Sequence, residues 1–100
     1  MHKSDKWIVI EIDGLKKILS SWVGGYLGSD EWRLSSGVEQ IEEDVDFFLM
    51  KTQSGSTYKC LKKSEGFSYL SSGVYRNIKE QCEENGKSLK ITSLSEKDKK

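Results

Sequence analysis

Few side chains in this sequence have the type and spacing that catalysis at neutral pH requires. The only histidine is His2, beside the first methionine. A serine or cysteine nucleophile usually needs a histidine base within hydrogen-bonding reach, and one at this position is poorly placed to supply it. The two cysteines, Cys60 and Cys82, do not form a Cys-x-x-Cys motif, and the chain has no Walker loop and no Gly-x-Gly-x-x-Gly run. We therefore predict a protein that is not an enzyme and that holds no metal or other cofactor.

Five acidic residues that precede the centre of the chain are the first group that could bind a ligand. They are Glu39, Glu42, Glu43, Asp44 and Asp46. Their spacing does not match an EF-hand loop, and the glycine that such a loop needs is missing. We interpret them as a solvated approach to a strand that keeps a sheet edge soluble. A deep pocket lined by this acidic cluster would favour an enzyme acting on a small metabolite.

A basic group follows in the centre of the chain, with no acid between Phe47 and Ser64. Its members are Lys51, Lys59, Lys62 and Lys63. Lysines interleaved with aromatic residues, here Phe48, Tyr58 and Phe67, are typical of surfaces that bind nucleic acid. This is the alternative function that the sequence indicates.

The central hairpin decides whether those lysines share a surface. Residues 45–52 and 57–61 are rich in β-branched and aromatic residues, and Ser54-Gly55 between them suits a tight turn. If Gln53 pairs with Ser56, Lys51 and Lys62 lie on one face of the hairpin, whereas Lys59 and Lys63 lie on the other. This register is an argument against a phosphate-binding stripe.

Aromatic residues indicate a binding surface of another kind. Three tryptophans in a chain of 100 residues exceed what a small core needs, and Trp32 stands beside acidic residues at the start of an irregular strand. Tryptophan is enriched where proteins bind one another. The candidate binding residues are Trp32, Phe67, Tyr69, Arg76, Lys59 and Lys63.

Composition agrees with a small protein that binds another protein. Sixteen basic and sixteen acidic side chains balance, so no net field draws the chain toward nucleic acid or an anionic membrane. No apolar run approaches the roughly 20 residues that span a bilayer, and the first residues have no signal-peptide core. We predict no membrane contact and a cytoplasmic location, in which the two thiols are reduced and buried. We also predict one compact domain over residues 1–94 and a disordered charged tail over residues 95–100.

Apolar periodicity predicts the order β-α-β-β-β-α-β. The predicted strands are residues 7–12, 32–41 with a bend at Gly37, 45–52, 57–61 and 88–94. The first helix covers residues 15–23, where apolar residues recur at helical spacing and Asp13 can act as its N-cap. The second begins at Ser71 or Ser72 and ends at Asn85-Gly86. We predict an α+β protein with a mainly antiparallel sheet of four or five strands and two helices, either ferredoxin-like or a small bent barrel.

A short internal repeat has two interpretations. Leu34-Ser-Ser-Gly-Val38 recurs as Leu70-Ser-Ser-Gly-Val74. The flanking residues do not align, which favours coincidence. If the repeat is meaningful, its two Ser-Ser-Gly turns could form a pair of anion-binding nests.

The function that the sequence favours is therefore protein–protein interaction by a small non-enzymatic domain, with self-association through a sheet edge as one form of it. Nucleic-acid binding through the hairpin lysines is the alternative.

Overall fold

Eight strands and one α-helix make up the part of the chain that the computed structural model describes, residues 2–3, 5–22 and 31–94. The strands are β1 His2–Lys3, β2 Lys6–Ile12, β3 Leu15–Trp22, β4 Glu31–Leu34, β5 Val38–Glu43, β6 Phe47–Thr52, β7 Thr57–Leu61 and β8 Leu89–Thr92. The helix, α1, covers Tyr69–Glu84, and a 3-10 turn at Lys62–Ser64 follows β7.

The strands form two sheets of four strands each. The hairpin sheet has the order β1-β7-β6-β5, and the helix-covered sheet has the order β4-β3-β2-β8. Every pairing is antiparallel except that of β1 with β7. The chain passes from one sheet to the other three times: between β1 and β2, between β4 and β5, and between β7 and β8 by way of α1. The predicted α+β class is confirmed, but the prediction of one sheet with two helices is wrong, and so is the predicted order of elements.

Two hydrophobic clusters lie on opposite sides of the helix-covered sheet. The cluster between the sheets consists of Trp7, Val9 and Ile18 from one sheet and Phe48, Met50, Tyr58 and Cys60 from the other. On the far side, Ile8, Ile10 and Leu19 pack against α1 through Val74, Tyr75 and Ile78. The helix-covered sheet is therefore buried on both faces, whereas the hairpin sheet has a core on one face.

The predicted first helix is a strand, β3. Asp13 and Gly14 have φ angles of 50° and 85°, and they connect β2 to β3, which pair from Ile12–Leu15 to Lys6–Ser21. Two successive positive φ angles mark a type I′ hairpin turn, for which Asp-Gly is a preferred sequence. The helical spacing of apolar residues was misleading because a strand buried on both faces need not alternate apolar and polar residues.

The central hairpin exists, but its predicted register is wrong by one residue. Its loop has three residues, because Thr52 rather than Gln53 pairs with Ser56: the Thr52 amide donates to the Ser56 carbonyl over 3.0 Å. Gly55, with φ at 91°, closes this loop in the left-handed conformation. Met50 consequently lies opposite Tyr58, and Phe48 lies opposite Cys60. The one-residue shift gives every strand residue a different partner on the neighbouring strand. It also places the buried side chains of Phe48, Met50, Tyr58 and Cys60 between the sheets.

The N-cap of helix α1 lies three residues before Ser71 and four before Ser72, the two predicted N-caps, and the helix ends where the sequence predicts. Ser68 is the N-cap: its Oγ accepts a hydrogen bond from the Ser71 amide, and the Ser71 Oγ accepts one from the Ser68 amide. Asn85 is the C-cap, and Gly86 follows with φ at 71°. The reciprocal pair of bonds is a capping box, here with serine in the place of the usual glutamate.

The two copies of Leu-Ser-Ser-Gly-Val have different conformations. Residues 35–37 of the first copy connect β4 to β5, whereas the whole second copy lies within α1. A pair of matching Ser-Ser-Gly turns is therefore not formed, and the proposed anion-binding nests are wrong.

Candidate interaction surface

The hairpin sheet has one face that turns away from the helix-covered sheet, and we call it the outer face. It is formed by Gln40, Glu42, Phe47, Leu49, Lys51, Thr57, Lys59 and Leu61. Phe47, Leu49 and Leu61 are half-buried and belong to neither hydrophobic cluster. Since α1 packs on the other sheet, no described helix covers these three apolar side chains. The outer face is thus an apolar stripe that remains partly accessible to water.

Charged residues border this stripe on both sides. On β5, Glu42 accepts a hydrogen bond of 2.7 Å from Gln40 Nε2. On β7, the Lys59 ammonium lies 4.6 Å from the centre of the Phe47 ring. A lysine at this distance over an aromatic face is attracted by the ring and covers part of it. Within the described ranges, neither Lys51 nor Lys59 forms an ion pair with a carboxylate.

A cavity lies at one end of the outer face. It has a volume of about 430 Å³ and is lined by Asp46, Leu61, Lys62 and Lys63. Lys62 already has partners, because its Nζ lies 2.6 Å from the Glu43 carboxylate and 5.2 Å from the centre of the Phe48 ring. Of the five acidic residues before the hairpin, only Asp46 lines this cavity. It is therefore not a pocket built from the acidic cluster.

The candidate binding residues predicted from the sequence lie in two separate places. Lys59 is on the outer face and Lys63 lines the cavity, whereas the other four lie on the helix side of the molecule. Tyr69 is 70% exposed at the start of α1, and Arg76 is exposed farther along the same helix. The ring centres of Phe67 and Tyr75 lie 5.2 Å apart, and Phe67 packs against the cluster beneath α1.

Trp32 lies near the start of α1. It is 48% exposed on the edge strand β4, directly opposite Ser21, and the Ser21 hydroxyl lies 2.9 Å from that of Ser68, the N-cap of the helix. Trp32 and Tyr69 are therefore exposed aromatic residues at one end of the helix. The structure does not bring them to the lysines of the hairpin sheet.

The titrating groups between the sheets have shifted pKa values. Burial raises the pKa of the Cys60 thiol to about 12, and the nearby Glu65 carboxylate adds to the rise. Burial also raises the pKa of Tyr58, and the Arg33 guanidinium on β4, which hydrogen-bonds to it, opposes this rise. A thiol with so high a pKa is protonated at neutral pH and is a poor nucleophile. In the part of the chain described, no group of three or more His, Cys, Asp or Glu side chains is placed to hold a metal ion.

Sequence reasoning missed the apolar stripe. The predicted register, with Gln53 opposite Ser56, puts Leu61 on the face opposite to Phe47 and Leu49, whereas in the structure Phe47 lies directly opposite Leu61. The lysines carried a usable signal. With a three-residue loop, Lys51 and Lys59 fall on one face and Phe48, Met50, Tyr58 and Cys60 fall on the other, which separates charged from apolar residues better than a two-residue loop does.

None of the described helices is long and apolar enough to cross a membrane. Comparisons of the chain with protein-family models, with curated proteins and with solved structures each found no match.

Proposed function

We propose that this chain is a non-enzymatic protein–protein interaction domain and that the outer face is its binding surface. The observation that carries the proposal is a sheet with a core on one face and, on the other, a half-buried apolar stripe, Phe47, Leu49 and Leu61, that no described helix covers. Apolar side chains bordered by charged residues resemble the core and rim of protein interfaces. Partly exposed apolar residues rimmed by polar ones often mark the place where a partner binds.

The buried Cys60 thiol supports a role without catalysis. It has a pKa of about 12 and stays protonated at neutral pH, so it gives no nucleophile. Both cysteines are free and buried, which fits the proposed cytoplasmic location.

Two substitutions of an aliphatic residue by asparagine, one on the outer face and one in the other sheet, test the proposal. Leu49→Asn places an amide in the apolar stripe, and Ile91→Asn makes a similar change at an exposed residue of β8 in the other sheet. Tagged wild-type protein and both variants, each shown by circular dichroism to be folded, are used to recover partners from native cells. We expect a protein that wild type and Ile91→Asn retain and Leu49→Asn loses. Equal recovery by all three would contradict the outer face as the binding surface.

Nucleic-acid binding is a second candidate because of the corrected hairpin register. Lys51 and Lys59 share the outer face with Phe47, so the argument that separated them no longer applies. Lysines beside an accessible aromatic ring are typical of surfaces that bind single strands, and the Phe47 ring is partly accessible. Against this candidate, Glu42 lies on the same face and the chain has a net charge of +0.

Fluorescence anisotropy with labelled single- and double-stranded oligonucleotides distinguishes the two candidates. Two phosphate contacts should give a slope of about −1.4 in log K against log salt for a single strand. If nucleic acid is the ligand, replacing both Lys51 and Lys59 by glutamine should abolish most of this salt dependence. Absence of binding at low salt would eliminate the candidate.

A further inference from the structure

One row of residues across the outer face has opposite charges at its two ends. Leu49 lies directly opposite Glu42 on β5 and directly opposite Lys59 on β7. Residues that lie opposite one another on neighbouring strands share a face of the sheet. Across the three longer strands β5, β6 and β7, the row therefore has the acid at one end, the leucine in the middle and the base at the other end, and β1 follows beside β7.

A face with this arrangement is complementary to itself under one rotation. Consider a half-turn about an axis that runs parallel to β6 and passes just above Leu49. This rotation places a second copy face to face with the first and exchanges the two ends of the row. Glu42 of each copy then lies over Lys59 of the other, and the two Leu49 side chains meet on the axis. Because a twofold interface is isologous, the Glu42–Lys59 pair occurs twice.

The alternative face-to-face rotation is unfavourable. An axis perpendicular to the strands stacks β5 on β5 and β7 on β7, so that Glu42 approaches Glu42 and Lys59 approaches Lys59. Like charges brought together across an interface oppose binding. The charge pattern therefore selects the arrangement in which the two β6 strands run in the same direction.

On the basis of the proposed function, we propose that the partner of the outer face is a second copy of this chain. The two hairpin sheets pack face to face about an axis parallel to β6. The apolar stripes form the centre of the interface, and Glu42 of each copy pairs with Lys59 of the other at its sides. This use of a sheet face differs from the pairing of sheet edges that the sequence suggested.

The interface is small. Three strands spaced about 4.8 Å apart and six residues long, at about 3.4 Å per residue, have a projected area of roughly 300 Å². Two such faces bury roughly 600 Å² together, which is below the roughly 1,200 Å² of stable specific interfaces, so the dimer is expected to be weak and transient. Self-association must therefore be measured at high protein concentration.

Lys51 gives the proposal a distinctive consequence. It is on β6 with Leu49, so in the proposed arrangement it faces Lys51 of the other copy near the axis. Lys51→Ala removes this repulsion, and we expect it to tighten self-association by about threefold, the effect of a modest surface charge pair. If the outer face binds nucleic acid instead, the same substitution weakens binding of the oligonucleotide.

A charge-exchange experiment tests the proposal. Sedimentation equilibrium is measured for wild type, for Glu42→Lys and for Lys59→Glu, from about 10 μM to about 1 mM, the range that a weak interface requires. Wild type should self-associate, and each variant alone should do so at least about tenfold more weakly because both pairs become repulsive. An equimolar mixture of the two variants should associate like wild type, since both pairs are attractive again. Lys79→Glu and Glu80→Lys make the same charge changes at exposed residues of α1 and should leave wild-type association unchanged.

Two results would overturn the proposal. One is a wild-type protein that is monomeric across the whole range. The other is a dimer that neither charge variant weakens, which would place self-association on another surface. If wild type is monomeric while Leu49→Asn loses a partner recovered from cells, the self-association proposal fails and the proposed function stands. If Leu49→Asn changes neither measurement, both fail.

Discussion

Trp7 and Leu61 are joined by a hydrogen bond between the two sheets. The indole Nε1 of Trp7, on β2, donates to the backbone carbonyl of Leu61, on β7, over 2.7 Å. The Trp7 ring is fully buried and also contacts the Phe48 ring edge to face, with centroids 6.0 Å apart. This one side chain therefore holds the hairpin sheet against the helix-covered sheet beside the residue that ends the apolar stripe.

We expect Trp7→Phe to destabilise the fold by about 1–3 kcal/mol, because it leaves the Leu61 carbonyl without its donor and creates a small cavity. The phenyl ring can keep part of the contact with Phe48, so the variant should still fold. Urea denaturation followed by circular dichroism measures the change in the free energy of unfolding.

Trp32→Phe is the matched control for this substitution. Trp32 is 48% exposed on an edge strand, and surface changes of this kind usually alter stability by less than about 0.5 kcal/mol. A loss at Trp32 equal to that at Trp7 would show that the bond between the sheets contributes little.

Alanine should have opposite effects at two glycines. Gly14 has φ at 85° in the turn between β2 and β3, so Gly14→Ala should destabilise by about 1 kcal/mol. Gly73 lies inside α1, where an added Cβ would meet nothing within 4 Å apart from its chain neighbours and the backbone of the helix itself, so Gly73→Ala should stabilise by about 1 kcal/mol through its helix propensity. Thermal unfolding of both variants compares the signs directly. A stabilising Gly14→Ala change would contradict the type I′ turn.

The capping box of α1 can be tested in the same way. Ser68→Ala removes the side chain that accepts from the Ser71 amide and contacts the Ser21 hydroxyl, and it should cost about 1–2 kcal/mol. Ser72→Ala removes a hydroxyl that donates to the Tyr69 carbonyl of the same helix, and alanine favours the helix. We expect Ser72→Ala to leave stability unchanged or slightly higher by urea denaturation. Equal losses in both variants would contradict Ser68 as the N-cap.

Stability should fall at alkaline pH because of Cys60. A thiol whose pKa is about 12 in the folded protein and about 8.5 when unfolded favours folding below about pH 8.5, and this contribution is lost as the pH rises toward 12. The slope for one group cannot exceed about 1.4 kcal/mol per pH unit. Tyr58, with its raised pKa, adds a loss of the same sign at higher pH.

Urea denaturation at about pH 8 and about pH 10.5, the interval in which the unfolded thiol ionises, measures this slope. Cys60→Ala should be less stable at the lower pH but should lose less stability between the two. Val9→Ala is the control, because it removes side-chain volume from the same core cluster and keeps the thiol. If Cys60→Ala and Val9→Ala have the same pH dependence, the Cys60 thiol is not the group responsible.

The elements predicted best were those whose signals are local. The helical spacing of apolar residues and the Asn85-Gly86 end predict helix α1. The β-branched residues around Ser54-Gly55 predict the central hairpin. A C-cap glycine and a turn glycine depend on backbone conformations that few other residues adopt, so these signals survive in any tertiary context.

The errors arose where local signals allowed two answers. Leu15, Ile18, Leu19 and Trp22 fit a helix face, and Asp13 fits an N-cap, but Asp-Gly is also a preferred type I′ turn. Whether this segment forms a helix or a strand depended on whether a second apolar layer would cover the remaining face of β3. That layer is α1, which begins at Tyr69, far along the chain.

The sequence by itself determined the α+β class, the helix from its apolar spacing and its C-cap, and the hairpin from its turn, because these depend on neighbours within a few residues. It also determined that charges of opposite sign balance over the chain. Only the tertiary structure decided which face of the hairpin is buried. A one-residue change in loop length moves every side chain of a strand to the other face, and the burial of Met50 and Tyr58 against Trp7 selects one of the two registers. The outer face, with Glu42, Leu49 and Lys59 in one row, exists only in that register.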